Sequence, residues 1–200
     1  MAGIQPSFGN IGILIGSLYP AFIVSFLFIA SLFNFKLTGL VYLGGLAVTY
    51  VACWLVAMTG IVGERPPNAP LSCDLWAPSL NTKGPSFQAA ISWFTFIYLL
   101  LPMLFNSVLN PIVVGLTAFF AVVNMLFQHM NNCSSFSGLL LGMVIGLCMG
   151  SVWFGIWSMG NRNLLFYNEL VSNNAVCSRP SNETFKCSVY RGGELLGELT

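Results

Sequence analysis

Long apolar runs alternate with short polar breaks along the chain, and the lengths of the runs predict its elements. Five stretches are almost wholly apolar: Ile11–Phe33, Gly39–Gly60, Phe87–Leu109, Ile112–Gln128 and Gly138–Ser158. None contains Lys, Arg, Asp or Glu. A helix crosses the hydrocarbon core of a bilayer with about 20 mostly apolar residues, so each stretch is expected to span a membrane. Asn110-Pro111 leaves the third and fourth runs room only for a tight helical hairpin, since proline suits a turn or a first helical position. Pro20 and Pro102 fall inside spans, where helices in lipid tolerate them and kink. The first run is too long for a signal-peptide core and no small-residue cleavage site follows it, so it is expected to be retained.

The expected fold is an all-α membrane protein. About five transmembrane helices form a bundle over residues 1–158, and residues 159–200 form an extramembrane tail. In that tail the short apolar run Leu164–Tyr167 is expected to lie at the membrane interface. Thr184–Tyr190 partly alternates and is rich in β-formers, Arg191-Gly192-Gly193 reads as a turn, and Glu194–Leu199 reads as a second strand. An isolated hairpin is marginal in water. It therefore packs on the bundle or adds its strands to a partner, with Phe185, Val189 and Tyr190 as candidate contact residues.

Composition fixes the solvent. The chain is 56% hydrophobic and 6% charged, with mean hydropathy +0.80, where a soluble domain is about 25% charged. A soluble globular protein and a disordered tail are excluded. A net charge of +1 gives no field that would hold nucleic acid.

The placement of the charges gives an orientation. Ile61–Ser86 and His129–Ser137 share one face, side A, with Arg65 and Lys83. The Asn34–Thr38 turn, the Asn110 turn and the tail share side B, with Lys36, Arg162, Arg179, Lys186 and Arg191. The excess of Lys and Arg places side B, and with it the tail, on the cytoplasmic side. Cys53 and Cys148 then lie within spans as small apolar residues, and Cys177 and Cys187 stay reduced. Cys73 and Cys133 are candidates for a disulfide on side A. The sequons at Asn132 and Asn182 are expected to stay unused, one too near the membrane and the other on the cytoplasmic side.

Gly138, Gly142, Gly146 and Gly150 recur every four residues and form a groove along the fifth span that admits another backbone. Its occupant is another helix of this chain or, in a homo-oligomer, a second copy. Gly12 and Gly16 are a shorter version. Asn106, Asn124 and Gln128 are the amides near or within spans three and four. They make interhelical hydrogen bonds or mark a substrate path. No span holds an ionisable carboxylate or cation, which argues against a proton-coupled transporter or pump, and a small transporter or channel subunit is the weakest of the alternatives.

No metal-spaced His/Cys cluster, phosphate-cradling loop or other cofactor motif is present, so no metal or cofactor is expected. Three side-A elements nevertheless fall in a suggestive order: Arg65-Pro66, then Pro85-Ser86-Phe87-Gln88, then His129 followed by Gly138 and Gly142. This arrangement resembles the type 2 phosphatidic acid phosphatase superfamily of membrane lipid phosphatases, over about residues 61–150. That family carries Lys with Arg-Pro, then Pro-Ser-Gly-His, then Ser-Arg with His and Asp before a glycine-rich helix. Here Met58 stands at the Lys, Phe87 at the Gly and Gln88 at the general-acid His. Aligned on the glycines, Asn124 stands at the Arg, Met130 at the nucleophilic His and Ser134 at the orienting Asp, with His129 one position away. Phosphoryl transfer by this route needs a nucleophile, an oriented base and cationic stabilisation. The resemblance implies a retained fold and lost chemistry, hence no catalytic residues; if activity survives, Arg65, Ser86 and His129 carry it.

The tail, from Cys177-Ser178-Arg179-Pro180-Ser181 through Thr184–Tyr190 and its glycine turn, resembles multi-pass membrane proteins of large icosahedral DNA viruses. The resemblance implies a minor capsid-type structural protein of the virion's internal membrane, partnered by lipid and, through the tail, by capsid or other membrane proteins.

Overall fold

The computed structural model describes residues 8–62, 84–167, 187–191 and 194–199, with backbone alone for 8–17 and for the last two segments. Five helices are present: α1 (Phe8–Phe33), α2 (Thr38–Met58), α3 (Phe87–Phe105), α4 (Pro111–Met130) and α5 (Phe136–Gly160). A 3₁₀ turn, Arg162–Leu164, follows α5, and the strands β1 (Cys187–Arg191) and β2 (Glu194–Leu199) close the described chain. The helices α2 to α5 are each long and apolar enough to cross a membrane, and the described apolar part of α1 is Leu18–Phe33. The chain is thus a multi-pass helical membrane protein.

Local chemistry sets most of the helix ends. Ser86, Asn110 and Ser135 cap α3, α4 and α5 by accepting hydrogen bonds from backbone N–H groups of the first turn, which stabilises a helix by about 1 kcal/mol per cap. Pro111 takes the first position of α4, where its missing N–H is no loss. α2 has no side-chain cap of its own. Ser31 substitutes, accepting from Gly39 N–H (2.7 Å) and donating to the Lys36 carbonyl (2.6 Å), so Thr38 donates to Ser31 at 3.0 Å.

Three helices end in the same reversal. Phe35, Ser107 and Asn132 adopt positive φ (53°, 55° and 54°). In each case that residue's N–H bonds the carbonyl three back, and the next N–H bonds the carbonyl five back (Lys36 to Ser31, Val108 to Met103, Cys133 to Gln128). This is the Schellman closure, which glycine usually occupies. It also corrects the expected end of the third span. α3 stops at Phe105 rather than Leu109, because Asn106 and Ser107 are consumed by the reversal that leads to Asn110. α1 and α3 continue through Pro20 and Pro102.

α3 is the centre of the bundle, with 67% of its apolar stretch buried against 22–33% for α2, α4 and α5. Apolar burial does not drive helix association in lipid, so close backbone approach matters more. The glycine groove supplies it. α3 and α5 run parallel in four-residue steps: Ser86 lies over Gly142, Ala90 over Gly146 and Phe94 over Gly150, each so close that a Cβ would strike α3. The occupant of the groove is therefore α3 of the same chain.

Below this seam, toward side B, Tyr42, Phe94 and Tyr98 gather with ring centroids 5.6–6.0 Å apart, pairs worth about 0.5–1.5 kcal/mol each beyond their burial. Tyr42 and Thr95 share a 2.6 Å hydrogen bond, and Trp153 donates to the Val41 carbonyl at 3.0 Å. Leu164–Tyr167 packs on the end of the bundle: Leu165 is buried and Phe166 packs edge-on against both Tyr42 and Tyr98.

The tail strands pair antiparallel, from Arg191 opposite Glu194 to Cys187 opposite Leu199, with a bulge between Val189 and Tyr190. The described part of β1 begins at Cys187, and Thr184–Lys186 of the expected strand lie outside the described residues.

Candidate functional site

Ser86, Gln88, Asn124, His129 and Ser134, singled out by the phosphatase-like spacing, fall at the side-A end of α3, α4 and α5. Ser86 opens α3, and its N–H donates to the Gly138 carbonyl at 3.0 Å, tying the starts of α3 and α5 together. Asn124 and Gln128 lie one turn apart on α4 and so on one face. That face meets the start of α3, because a polar chain crosses between them.

The chain of donors runs in one direction. Ser86 Oγ donates to Gln128 Oε1, Gln128 Nε2 donates to Asn124 Oδ1, and Asn124 Nδ2 donates to Gln88 Oε1 at 3.2 Å. Ser86 Oγ also accepts from Ala89 N–H at 3.2 Å. All four residues are at most 7% exposed. Buried polar groups cost heavily when unpaired, and here they satisfy one another across the helix seam.

What the arrangement can do chemically follows from its donors and acceptors. A serine nucleophile needs a base to take its proton. Ser86 gives its proton to an amide oxygen, which is no base at neutral pH. Gln88 can neither donate a proton as an acid nor accept one, and none of the four network residues is a cation. His129 follows Gln128 directly but sits about 100° further round the helix. It is exposed, with its ring edge-on to Phe136 at 6.2 Å. Ser86 and His129 are thus brought to one end of the bundle but not into contact. Arg65 lies outside the described residues, as do Lys83, Cys73 and Phe185. Among the described residues no group of three or more His, Cys, Asp or Glu is placed to hold a metal ion.

No protein-family model, curated protein or solved structure matches the chain.

Ser134, also aligned with a catalytic position, is buried beside this network at 6% exposure. Cys133 next to it is disulfide-bonded, to a partner whose side chain is outside those described. Val189 and Tyr190 lie on β1, flanking its bulge. Gln128 is the member that spacing alone undervalued. The four-residue interval between Asn124 and Gln128 marks a shared face, but only contact with Ser86 shows that the face closes a network.

Proposed function

We propose that this chain is a non-enzymatic structural protein of a membrane, built as a five-span bundle whose tail engages a protein partner. The observation that carries the reading is the neutral network of Ser86, Gln88, Asn124 and Gln128. Three of its members stand where the resemblance to membrane lipid phosphatases aligns motif positions, and a fourth aligned residue, Ser134, is buried at the same end. Their convergence supports a shared core, and their chemistry supports its conversion to a packing device. Hydroxyl-to-amide bonds hold α3 and α4 together where a phosphatase would hold a charged ester.

The tail supports the second half of the proposal. Among the described residues β1 and β2 pair only with each other, and a hairpin with such outer edges suits strand addition by another chain. The resemblance to membrane proteins of large icosahedral DNA viruses supports a capsid or scaffold above a virion's internal membrane as that partner, with the tail on the cytoplasmic side.

Deletion of residues 177–200 tests this. Membrane insertion should persist while co-purification of the tail's partner, read by cross-linking mass spectrometry on the native membrane or particle, is lost. Unchanged cross-links would refute the tail as the contact. The absence of chemistry has its own test: purified protein in mixed micelles should release no more phosphate from phosphatidic acid than a heat-treated control. Release abolished by Arg65→Ala would establish the lipid phosphatase instead.

A further inference from the structure

Between α1 and α4 lies a groove-shaped cavity of about 450 Å³, lined from Leu18 to Phe26 on α1 and from Val113 to Phe120 on α4. Both hydroxyls in its walls are engaged with backbone. Thr117 Oγ1 donates to the Val113 carbonyl at 2.8 Å, and Tyr19 Oη donates to the Thr117 carbonyl at 3.5 Å. An apolar cavity of ~150 Å³ stays dry and takes up a benzene, so this one, about three times as large, calls for a longer hydrocarbon.

Depth in the bilayer narrows the occupant. α4 begins at Pro111 on side B, and at about 1.5 Å of rise per residue its lining residues lie roughly 3–14 Å inward from that end. That is within one leaflet of a hydrocarbon core about 30 Å thick. The groove is continuous with the lipid-facing surface, because Phe22, Phe26 and Leu116 line it and are each more than half exposed. Its deep end is closed where Tyr19 and Phe120 stack across the two helices at 5.1 Å and 18°. A second spanning helix, about 10–12 Å across with its side chains, would have to pass that pair. A chain that ends inside the leaflet does not.

We infer that this groove holds one acyl chain of a phospholipid in the side-B leaflet, its terminal methyl against the Tyr19–Phe120 pair. Lipid tails are as apolar as the groove, so entering it gains no hydrophobic free energy. The chain is held by dispersion, since walls left without a partner forfeit their contacts outright. Phe22 and Phe26, stacked one turn apart at 6.4 Å, give it an extended aromatic wall. Nothing in the walls reads a headgroup, so the site selects the chain alone.

The full chain, reconstituted into phosphatidylcholine vesicles, is photolabelled with phosphatidylcholines carrying a diazirine near the carbonyl or near the terminal methyl of one chain, and adducts are mapped by mass spectrometry. The first probe should mark Phe26 and Val113, and the second Tyr19 and Phe120. Labelling should exceed that of Phe119, which is exposed beside Phe120 on α4 but does not line the groove. Ile23→Trp fills the groove and should bring this excess down to parity, whereas Val152→Trp on the exposed side of α5 should leave it intact. Parity in the unmodified chain would mean passing lipid only and overturn the site. Groove residues that stay unlabelled while two copies cross-link through them would make a second copy the occupant and overturn it equally. If Ile23→Trp fails to fold, Leu116→Trp at the exposed edge decides, and an excess that survives it refutes the assignment.

Discussion

The seam between α3 and α5 makes a sharp prediction, because the same substitution should have opposite signs at two places on one helix. Alanine at position 142 would set its Cβ 2.5 Å from the Ser86 carbonyl oxygen and 3.1 Å from the Ser86 nitrogen. Ordinary contact begins at 3.4 Å, so the helices must part by about 0.9 Å. Both obstacles are backbone atoms and cannot rotate aside. A gap of that size forfeits a quarter to a half of each contact's ~0.1–0.2 kcal/mol. Over a seam of roughly fifty atom pairs the loss is about 2–4 kcal/mol, offset by about 1 kcal/mol of improved helix propensity. Gly142→Ala should therefore destabilise by about 1–3 kcal/mol, as overpacking commonly does. For Gly155, nothing lies within 4 Å of an added Cβ, and Gly155→Ala should stabilise by up to about 1 kcal/mol. Cys53 is a built-in reporter, a free and fully buried thiol packed against Phe87 and Ala90 of α3. In a background with Cys148→Ala, Cys177→Ser and Cys187→Ser, a thiol-reactive dye followed on heating reads the opening of this seam. At about 2–4 °C per kcal/mol for a chain of this size, a combined difference of about 1–4 kcal/mol should make Gly142→Ala melt roughly 2–16 °C below Gly155→Ala. Coincident melting curves would refute the close-approach argument.

Other outcomes are read by the same melt or by simple chemistry. Tyr98 Oη is buried without a hydrogen-bond partner among the described residues, so Tyr98→Phe should raise the melting temperature by about 2–4 °C, whereas Tyr42→Phe, which breaks the bond to Thr95, should lower it. Gln128→Leu strands both Ser86 and Asn124 and should cost about 1–3 kcal/mol, more than the ~0.6 kcal/mol of a single interhelical bond; a loss below that would mean the network closes without it. Ser107→Gly relieves a left-handed residue and should stabilise by about 0.5–1 kcal/mol. Cys133 is already disulfide-bonded; with Cys73 as its partner, Cys73→Ser should expose one new thiol to maleimide under non-reducing conditions, and an unreactive Cys133 would exclude that pairing.

The helical spans were legible because lipid admits few alternatives: an uncharged run of about 20 residues has to satisfy its backbone internally. Their ends were legible where a cap is a side chain, as at Asn110, and not where it is a backbone reversal. Ser107 carries no sign in its identity that it takes the position glycine normally fills, and α3 ends early for that reason. The glycine groove was visible as a groove, while its occupant depended on which helix lies parallel to α5. The amides showed the same limit. Asn124 and Gln128 declare a common face, yet only the packing reveals Ser86 and Gln88 opposite them. Leu164–Tyr167 stood out as an apolar run beside a span, but nothing in the run told that its Phe166 ring packs against Tyr42 and Tyr98.

The uncharged network at the head of α3 and α4 has an electrical consequence. A potential of 100 mV does about 2.3 kcal/mol of work on each elementary charge that moves through it. No Lys, Arg, Asp or Glu stands anywhere in α1 to α5, and the buried polar chain between α3 and α4 is built of neutral side chains. Voltage therefore has no side-chain charge to grip, and the bundle should keep one conformation in polarised and depolarised membranes alike.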